Sequence, residues 1–113
     1  MPLFTSPDPT DASTVQQSDA QYLIFYSSVD AAGQMWCPDC RRVEEVVRKA
    51  FEPLTAPSAL IVFVGQRNTT NEFRGSPWNV TSVPTIIGRD DVRFVDDEVN
   101  EEALRTLTKT KTD

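Results

Sequence analysis

Two short apolar runs flank one amphipathic helix pattern in the middle of this chain, and that arrangement leaves few folds open. Tyr22-Leu23-Ile24-Phe25-Tyr26 is continuously apolar and aromatic, as a strand buried on both faces of a parallel sheet would be. Residues 59–64, Ala-Leu-Ile-Val-Phe-Val, read the same way. Between them, over about residues 37–54, Val43, Val46, Val47, Ala50, Phe51 and Leu54 recur at spacings of three and four. Those spacings trace one face of a helix. Pro38 suits the first turn, where its missing N–H costs nothing, and Pro53 and Pro57 mark the exit. Strand, helix and strand in this order make a βαβ unit with a right-handed crossover.

Weaker signals extend the pattern on both sides. Leu3-Phe4-Thr5 reads as a short edge strand. Residues 7–19 are polar, with Pro9-Thr10-Asp11 as the entry to a short helix. A loop over 27–34 follows the first apolar strand. Residues 71–74 begin a short helical pattern that Gly75-Ser76-Pro77 disturbs. Residues 83–88 and 92–95 read as strands joined by the turn Gly88-Arg89-Asp90-Asp91. The last helix starts at Asn100, a good N-cap, with Val99 and Leu104 as a hydrophobic staple and Glu101 and Glu102 at the positive helix end. Residues 109–113 read as a frayed tail. The order is β-α-β-α-β-α-β-β-α, an α/β chain with no repeat or interdomain linker. All 113 residues fit one domain, 1–113, large enough to bury a core.

The net charge of −6 argues against nucleic acid and anionic membranes, which attract Lys/Arg patches. No apolar run approaches the length needed to span a bilayer. The first residues lack the basic and apolar regions of a signal peptide, so the cytoplasm is the expected location. Asn68-Thr69-Thr70 and Asn79-Val80-Thr81 match the glycosylation triplet, which carries no meaning there.

The chain has two cysteines and no histidine, so imidazole enters no catalytic scheme. Both cysteines lie in Trp36-Cys37-Pro38-Asp39-Cys40, at the head of the long helix. A CxxC pair there, after a buried strand, is the thioredoxin arrangement. Cys37 at the helix N-terminus sits near free N–H donors and the positive end of the dipole, which favour a thiolate nucleophile. Cys40, one turn on and more buried, is placed to resolve the mixed disulfide that Cys37 forms. A zinc site needs two further ligands that this chain lacks, so no metal is expected unless a dimer pools four thiolates. A reduced cytoplasm also makes a permanent staple an unfavourable reading.

Beyond this arrangement, Trp36-Cys37-Pro38-Asp39-Cys40 resembles the WCPDC motif of small cytosolic thioredoxin-related proteins, the thioredoxin domain-containing protein 17 family. Asp30-Ala31-Ala32-Gly33, Asn71-Glu72-Phe73-Arg74 and Val80-Thr81-Ser82-Val83-Pro84-Thr85 are similar to segments of the same family. Together they cover roughly residues 22 to 88. Gly75-Ser76-Pro77-Trp78 departs from the pattern. The resemblance implies a thioredoxin fold, with a central mixed β-sheet flanked by helices. It implies a disulfide reductase that binds no cofactor, cycles through a Cys37–Cys40 disulfide and draws electrons from NADPH through thioredoxin reductase. Its implied substrates are small disulfides such as cystine, or oxidised cysteines on selected proteins. A monomer is the expected state.

The same residues assign the rest of the site. Trp36 is expected to cover the dithiol and offer a flat face to substrate. Pro84 is expected to be cis and to lie against the CxxC, leaving the Val83 backbone free for an extended substrate strand. Asp30 and Gly33 belong to a loop that either rims the entrance or is a plain surface turn. Pro38 stiffens the motif. Asp39 either opposes the Cys37 thiolate by like-charge repulsion or is an exposed residue suited to a first helical turn. Typical thioredoxins bury an Asp in the strand before the motif to take the resolving thiol's proton; residues 22–27 contain no carboxylate, so whatever assists Cys40 comes from elsewhere, with Asp39, Asp30 or water as candidates. A thioredoxin-fold binding module switched by the disulfide, without turnover, is the competing function; an oxidant or isomerase is a third.

Overall fold

The computed structural model describes residues 3–6, 10–29, 31–35, 37–52, 57–65, 73, 78–80, 82–88, 93–95 and 98–109. Five strands, β1 (Leu3–Thr5), β2 (Tyr22–Tyr26), β3 (Ala59–Phe63), β4 (Thr85–Gly88) and β5 (Arg93–Val95), form one sheet in the order β1-β3-β2-β4-β5. β1, β3 and β2 run parallel, while β4 and β5 are antiparallel to their neighbours. Three helices, α1 (Ala12–Gln16), α2 (Pro38–Phe51) and α3 (Glu101–Lys109), complete the described elements. The expected helix at 71–74 lies outside the described residues apart from Phe73.

β2 is uniformly apolar because it is the central strand and both of its faces are covered. Tyr22, Ile24 and Tyr26 join Ala59, Ile86, Val99 and Leu104 in the core beneath α2. The intervening Phe25 joins Leu60, Val62, Val64, Phe73 and Trp78 on the opposite face. The two cores thus follow the period of two along each strand. Phe73 packs edge-on against both Phe25 and Trp78, with ring centroids 5.5 and 5.1 Å apart, so Trp78 is core rather than surface.

α2 buries one stripe. Cys40, Val43, Val47 and Phe51 follow at spacings of three, four and four and are all but inaccessible. Val46 and Ala50 flank that stripe half-buried. The outer face carries exposed ion pairs, Asp39–Arg42, Glu45–Arg48, Glu45–Lys49 and Arg48–Glu52, each contributing little to stability. The helix ends at Phe51 rather than at the expected residue 54. A proline at position 53 has no N–H to give the carbonyl of Lys49, and Leu54 lies outside the described residues.

Other boundaries shift for identifiable reasons. β4 starts at Thr85, two residues later than expected, because Val83 and Pro84 belong to the bend before it. Lys109, expected in the tail, is the last residue of α3. Asn100 caps that helix by accepting the Ala103 N–H at 2.9 Å, and Val99 and Leu104 are both buried beneath it. Asp11 caps α1, accepting from the Thr14 side chain and N–H and from Ser13, which hold its carboxyl below the ordinary value.

One connection had no hydropathy signal. Ser6 and Thr10 are buried and hydrogen-bonded to each other. The Ser6 N–H donates to Ile61 O and the Thr10 N–H to Phe63 O, and Thr10 Oγ1 accepts the Phe63 N–H at 2.9 Å. These bonds carry the pairing beyond β1 along the edge of β3.

Candidate active site

The end of β2 and the start of α2 meet at the two cysteines, which are free thiols. Cys37 is the N-cap of α2, in extended conformation at φ −91° and ψ 117°, with Pro38 as the first helical residue. Its carbonyl accepts the N–H groups of Cys40 and Arg41 at 3.1 and 3.3 Å. Its thiol is partly accessible and donates to the Val83 carbonyl at 3.5 Å. The sulfur therefore stands at the N-terminus of α2, where the helix dipole favours negative charge.

Cys40 differs because it falls on the buried stripe. Its side chain is inaccessible, and burial pushes its thiol up from the ordinary 9.0 to about 12, the nearby Cys37 adding to the rise. Two hydrogen bonds from Ser27 oppose that rise without overcoming it. A buried thiol that keeps its proton is a poor first attacker, whereas the accessible Cys37 at the helix end is a good one. The helical period thus produces the division of labour between the two sulfurs.

This burial has a consequence for stability. The unfolded chain releases the Cys40 proton near 9.0 and the folded chain only near 12. The folded state therefore binds more protons between those values, and stability falls as pH rises through them. The contribution is fully present below pH 9. Urea unfolding of the reduced protein should show this loss over pH 9 to 12, and Cys40→Ala should make it shallower, leaving the loss that the buried Tyr26 phenol adds above its ordinary 10.0. Parallel profiles for the two proteins would mean that Cys40 titrates normally in the folded state.

The Val83 carbonyl is brought to the dithiol. The Val83–Pro84 peptide is cis, Pro84 is buried, and Val83 packs against the same cluster as Cys37 and Cys40. With the thiol protonated, the Val83 carbonyl is engaged by Cys37; a Cys37 thiolate has no proton to donate and releases it. Pro38 and Asp39 are exposed in the first turn of α2. The Asp39 carboxylate faces outward to Arg42 Nε at 3.7 Å.

The loop before the motif folds back on itself. Val29 and Met35 form an antiparallel bridge, Met35 is buried in the core beneath α2, and Gln34 accepts from Arg41 at 3.2 Å. Gly33 lies exposed in the turn at φ 85°, a left-handed conformation that suits glycine. Asp30 and Trp36, the remaining expected site residues, lie outside the described residues. Among the described residues, no group of His, Cys, Asp or Glu is arranged to hold a metal ion. No described helix is long and apolar enough to cross a membrane.

Sequence reasoning missed Ser27, which touches both cysteines. Its N–H donates to Cys40 Sγ at 3.4 Å, and its Oγ accepts the Cys37 N–H at 3.1 Å. Its only signal was its place immediately after a buried strand. Tyr26 beside it was read only as apolar. Its hydroxyl is buried without a hydrogen-bond partner among the described residues, and burial, with Cys40 and Glu44 adding, holds the phenol far above its ordinary 10.0.

Comparison with known proteins gives the family. The human thioredoxin domain-containing protein 17 is 35% identical over 71 residues, which cover 58% of this chain and 57% of the human protein. The thioredoxin-like protein Clot of Arabidopsis thaliana is 34% identical over 79 residues, covering 63% of this chain and 58% of that protein. The mouse thioredoxin domain-containing protein 17 is 32% identical over 71 residues, 58% of this chain and 57% of the relative. The chain thus spans somewhat over half the length of these relatives. The thioredoxin-domain profile of the thioredoxin domain-containing protein 17-like family matches residues 4–109, from within β1 to the end of α3, and a chain with that sheet, that helix order and that match belongs to this family and has the thioredoxin fold.

Proposed function

We propose that this protein is a thiol–disulfide oxidoreductase acting mainly as a disulfide reductase. The observation that carries the reading is the asymmetry of the dithiol: an accessible Cys37 at the start of α2 and an inaccessible Cys40 whose thiol is pushed up to about 12. The Cys37 thiolate attacks one sulfur of a substrate disulfide. A Cys37–substrate bond forms, the substrate S–S bond breaks, and the departing thiolate takes up a proton. Cys40 then gives up its proton and attacks Cys37 Sγ. The Cys37–Cys40 bond forms and the second substrate thiol leaves. The substrate gains two electrons and the protein dithiol loses them. Family membership supports NADPH and thioredoxin reductase as the source that restores the dithiol, a monomer as the working form and the cytoplasm as its location.

The preferred substrates are small or accessible disulfides such as cystine, or oxidised cysteines on selected proteins. The loop closed by the Val29–Met35 bridge leads directly into the motif, a position from which a loop can limit the approach to Cys37. The net charge of −6 also opposes acidic protein surfaces. The test supplies thioredoxin reductase and NADPH and compares cystine with insulin at matched concentrations. Cystine should be reduced several-fold faster. Equal or faster insulin reduction would remove the idea of a restricted site. A single stoichiometric oxidation without turnover on either substrate would replace the reductase with a redox-switched binding module.

A further inference from the structure

The resolving step needs a Cys40 thiolate, yet Cys40 is the least ionisable sulfur in the site. β2 and the residue after it contain no carboxylate, and Asp39 and Glu44 are exposed on α2. Ser27 is the polar group that meets the buried sulfur. It is itself inaccessible. Its N–H reaches Cys40 Sγ at 3.4 Å, and both its N–H and its hydroxyl favour the charged form of that sulfur. The same oxygen accepts the Cys37 N–H at 3.1 Å. A hydroxyl that accepts from a main-chain N–H is left with its own proton to donate, and a Cys40 thiolate would be its acceptor.

We propose that Ser27 activates the resolving thiol: its N–H and hydroxyl together hold the Cys40 sulfur as a thiolate while the mixed disulfide is resolved, in place of a buried carboxylate. The inference rests on the exchange chemistry proposed above. Its logic follows the charge on Cys37. Before attack, a Cys37 thiolate disfavours a second negative sulfur beside it. Once Cys37 is bonded to substrate its sulfur is neutral, and that repulsion is gone. Burial then remains against the thiolate and the two Ser27 bonds in its favour. The serine thus acts when resolution is due. It neither gains nor loses a proton overall. The Cys40 proton leaves with the departing substrate thiolate or with water, as the Cys37–Cys40 bond forms and the Cys37–substrate bond breaks.

Among the described residues, the other titratable groups close to Cys40 are Cys37 and the Tyr26 phenol of β2, with Glu44 of α2 acting on that phenol. Tyr26→Phe therefore belongs in the test, because it removes the second nearby hydroxyl. An aromatic disulfide whose thiols absorb visible light reports both steps. The first thiol released marks attack by Cys37, and the second marks resolution by Cys40.

Ser27→Ala and Ser27→Gly both delete the hydroxyl and keep the N–H, and glycine also places no side chain in the site. Each should leave attack within about twofold of the wild type and slow resolution roughly tenfold, the scale of one hydrogen bond to a charged group. The pH profile of resolution, followed from neutral pH to well above the ordinary thiol range, should move to higher pH. Tyr26→Phe should leave that profile in place. Unchanged resolution in both Ser27 variants would overturn the proposal. So would equal slowing of both steps without a shift in profile, which would mean that Ser27 only anchors the start of α2. A shift seen in Tyr26→Phe but not in the Ser27 variants would transfer the role to the phenol and overturn it too. Failure of the wild type to release even the first thiol would instead overturn the exchange chemistry itself.

Discussion

Cys40→Ser should accumulate a lasting mixed disulfide between Cys37 and substrate, while Cys37→Ser should accumulate none. Both variants should lose steady-state reductase turnover by on the order of a thousandfold or more, since each removes a member of a unit that works only as a pair. The asymmetry follows from where the helix puts each sulfur. Cys37 precedes the first helical residue and keeps an accessible thiol. Cys40 shares the buried stripe with Val43, Val47 and Phe51 and holds its proton up to about pH 12. A serine at 40 leaves attack intact and abolishes resolution, so the intermediate persists. A serine at 37 leaves only a buried, protonated thiol. Non-reducing mass spectrometry after exposure to a small disulfide reads both results. Equal trapping by the two variants would show that attacker and resolver are wrongly assigned.

What the sequence reveals about this site depends on range and periodicity. β2, α2 and β3 were legible because each carries a repeating apolar pattern, and the burial of Cys40 follows from that pattern once the helix is placed. The Val83–Pro84 bend was legible only through family resemblance, because Cys37, its partner, lies 46 residues earlier in the chain. Ser27 was invisible for a related reason. Its bonds to Cys37 and Cys40 cross from a strand end to a helix start, and a polar residue in an apolar neighbourhood leaves no periodic trace. Ser6 and Thr10 escaped in the same way: they are polar side chains buried because they complete the hydrogen bonding of β3. The end of α2 was misplaced because the apolar spacing continues to Leu54, past the point where Pro53 interrupts the helical hydrogen bonds. Hydrophobic pattern shows what a face wants to bury, and backbone chemistry decides where the element stops.

The far end of α2 should carry stability rather than chemistry, and Phe51→Ala is the variant that separates them. Phe51 is inaccessible and packs its ring against Tyr22 of β2, with centroids 5.8 Å apart and planes tilted by 51°. Truncation removes a large apolar side chain and leaves a cavity between helix and sheet. The expected cost is about 3–5 kcal/mol. Against a typical total of about 5–15 kcal/mol that is a large fraction, read as a lower midpoint in urea with little change in slope. Phe51→Leu, which keeps more of the volume, should cost clearly less. The dithiol lies at the other end of the helix, about 20 Å away along its axis at 1.5 Å per residue. Where Phe51→Ala is still fully folded, in the cold and without denaturant, attack by Cys37 and resolution by Cys40 should therefore run at close to wild-type rates. A loss below about 1 kcal/mol would mean that the surrounding side chains collapse into the space, contrary to a rigid contact between α2 and β2. A folded variant with slowed resolution would show that the packing of this helix end reaches the Cys40 sulfur, because Cys40 and Phe51 stand on the same buried stripe.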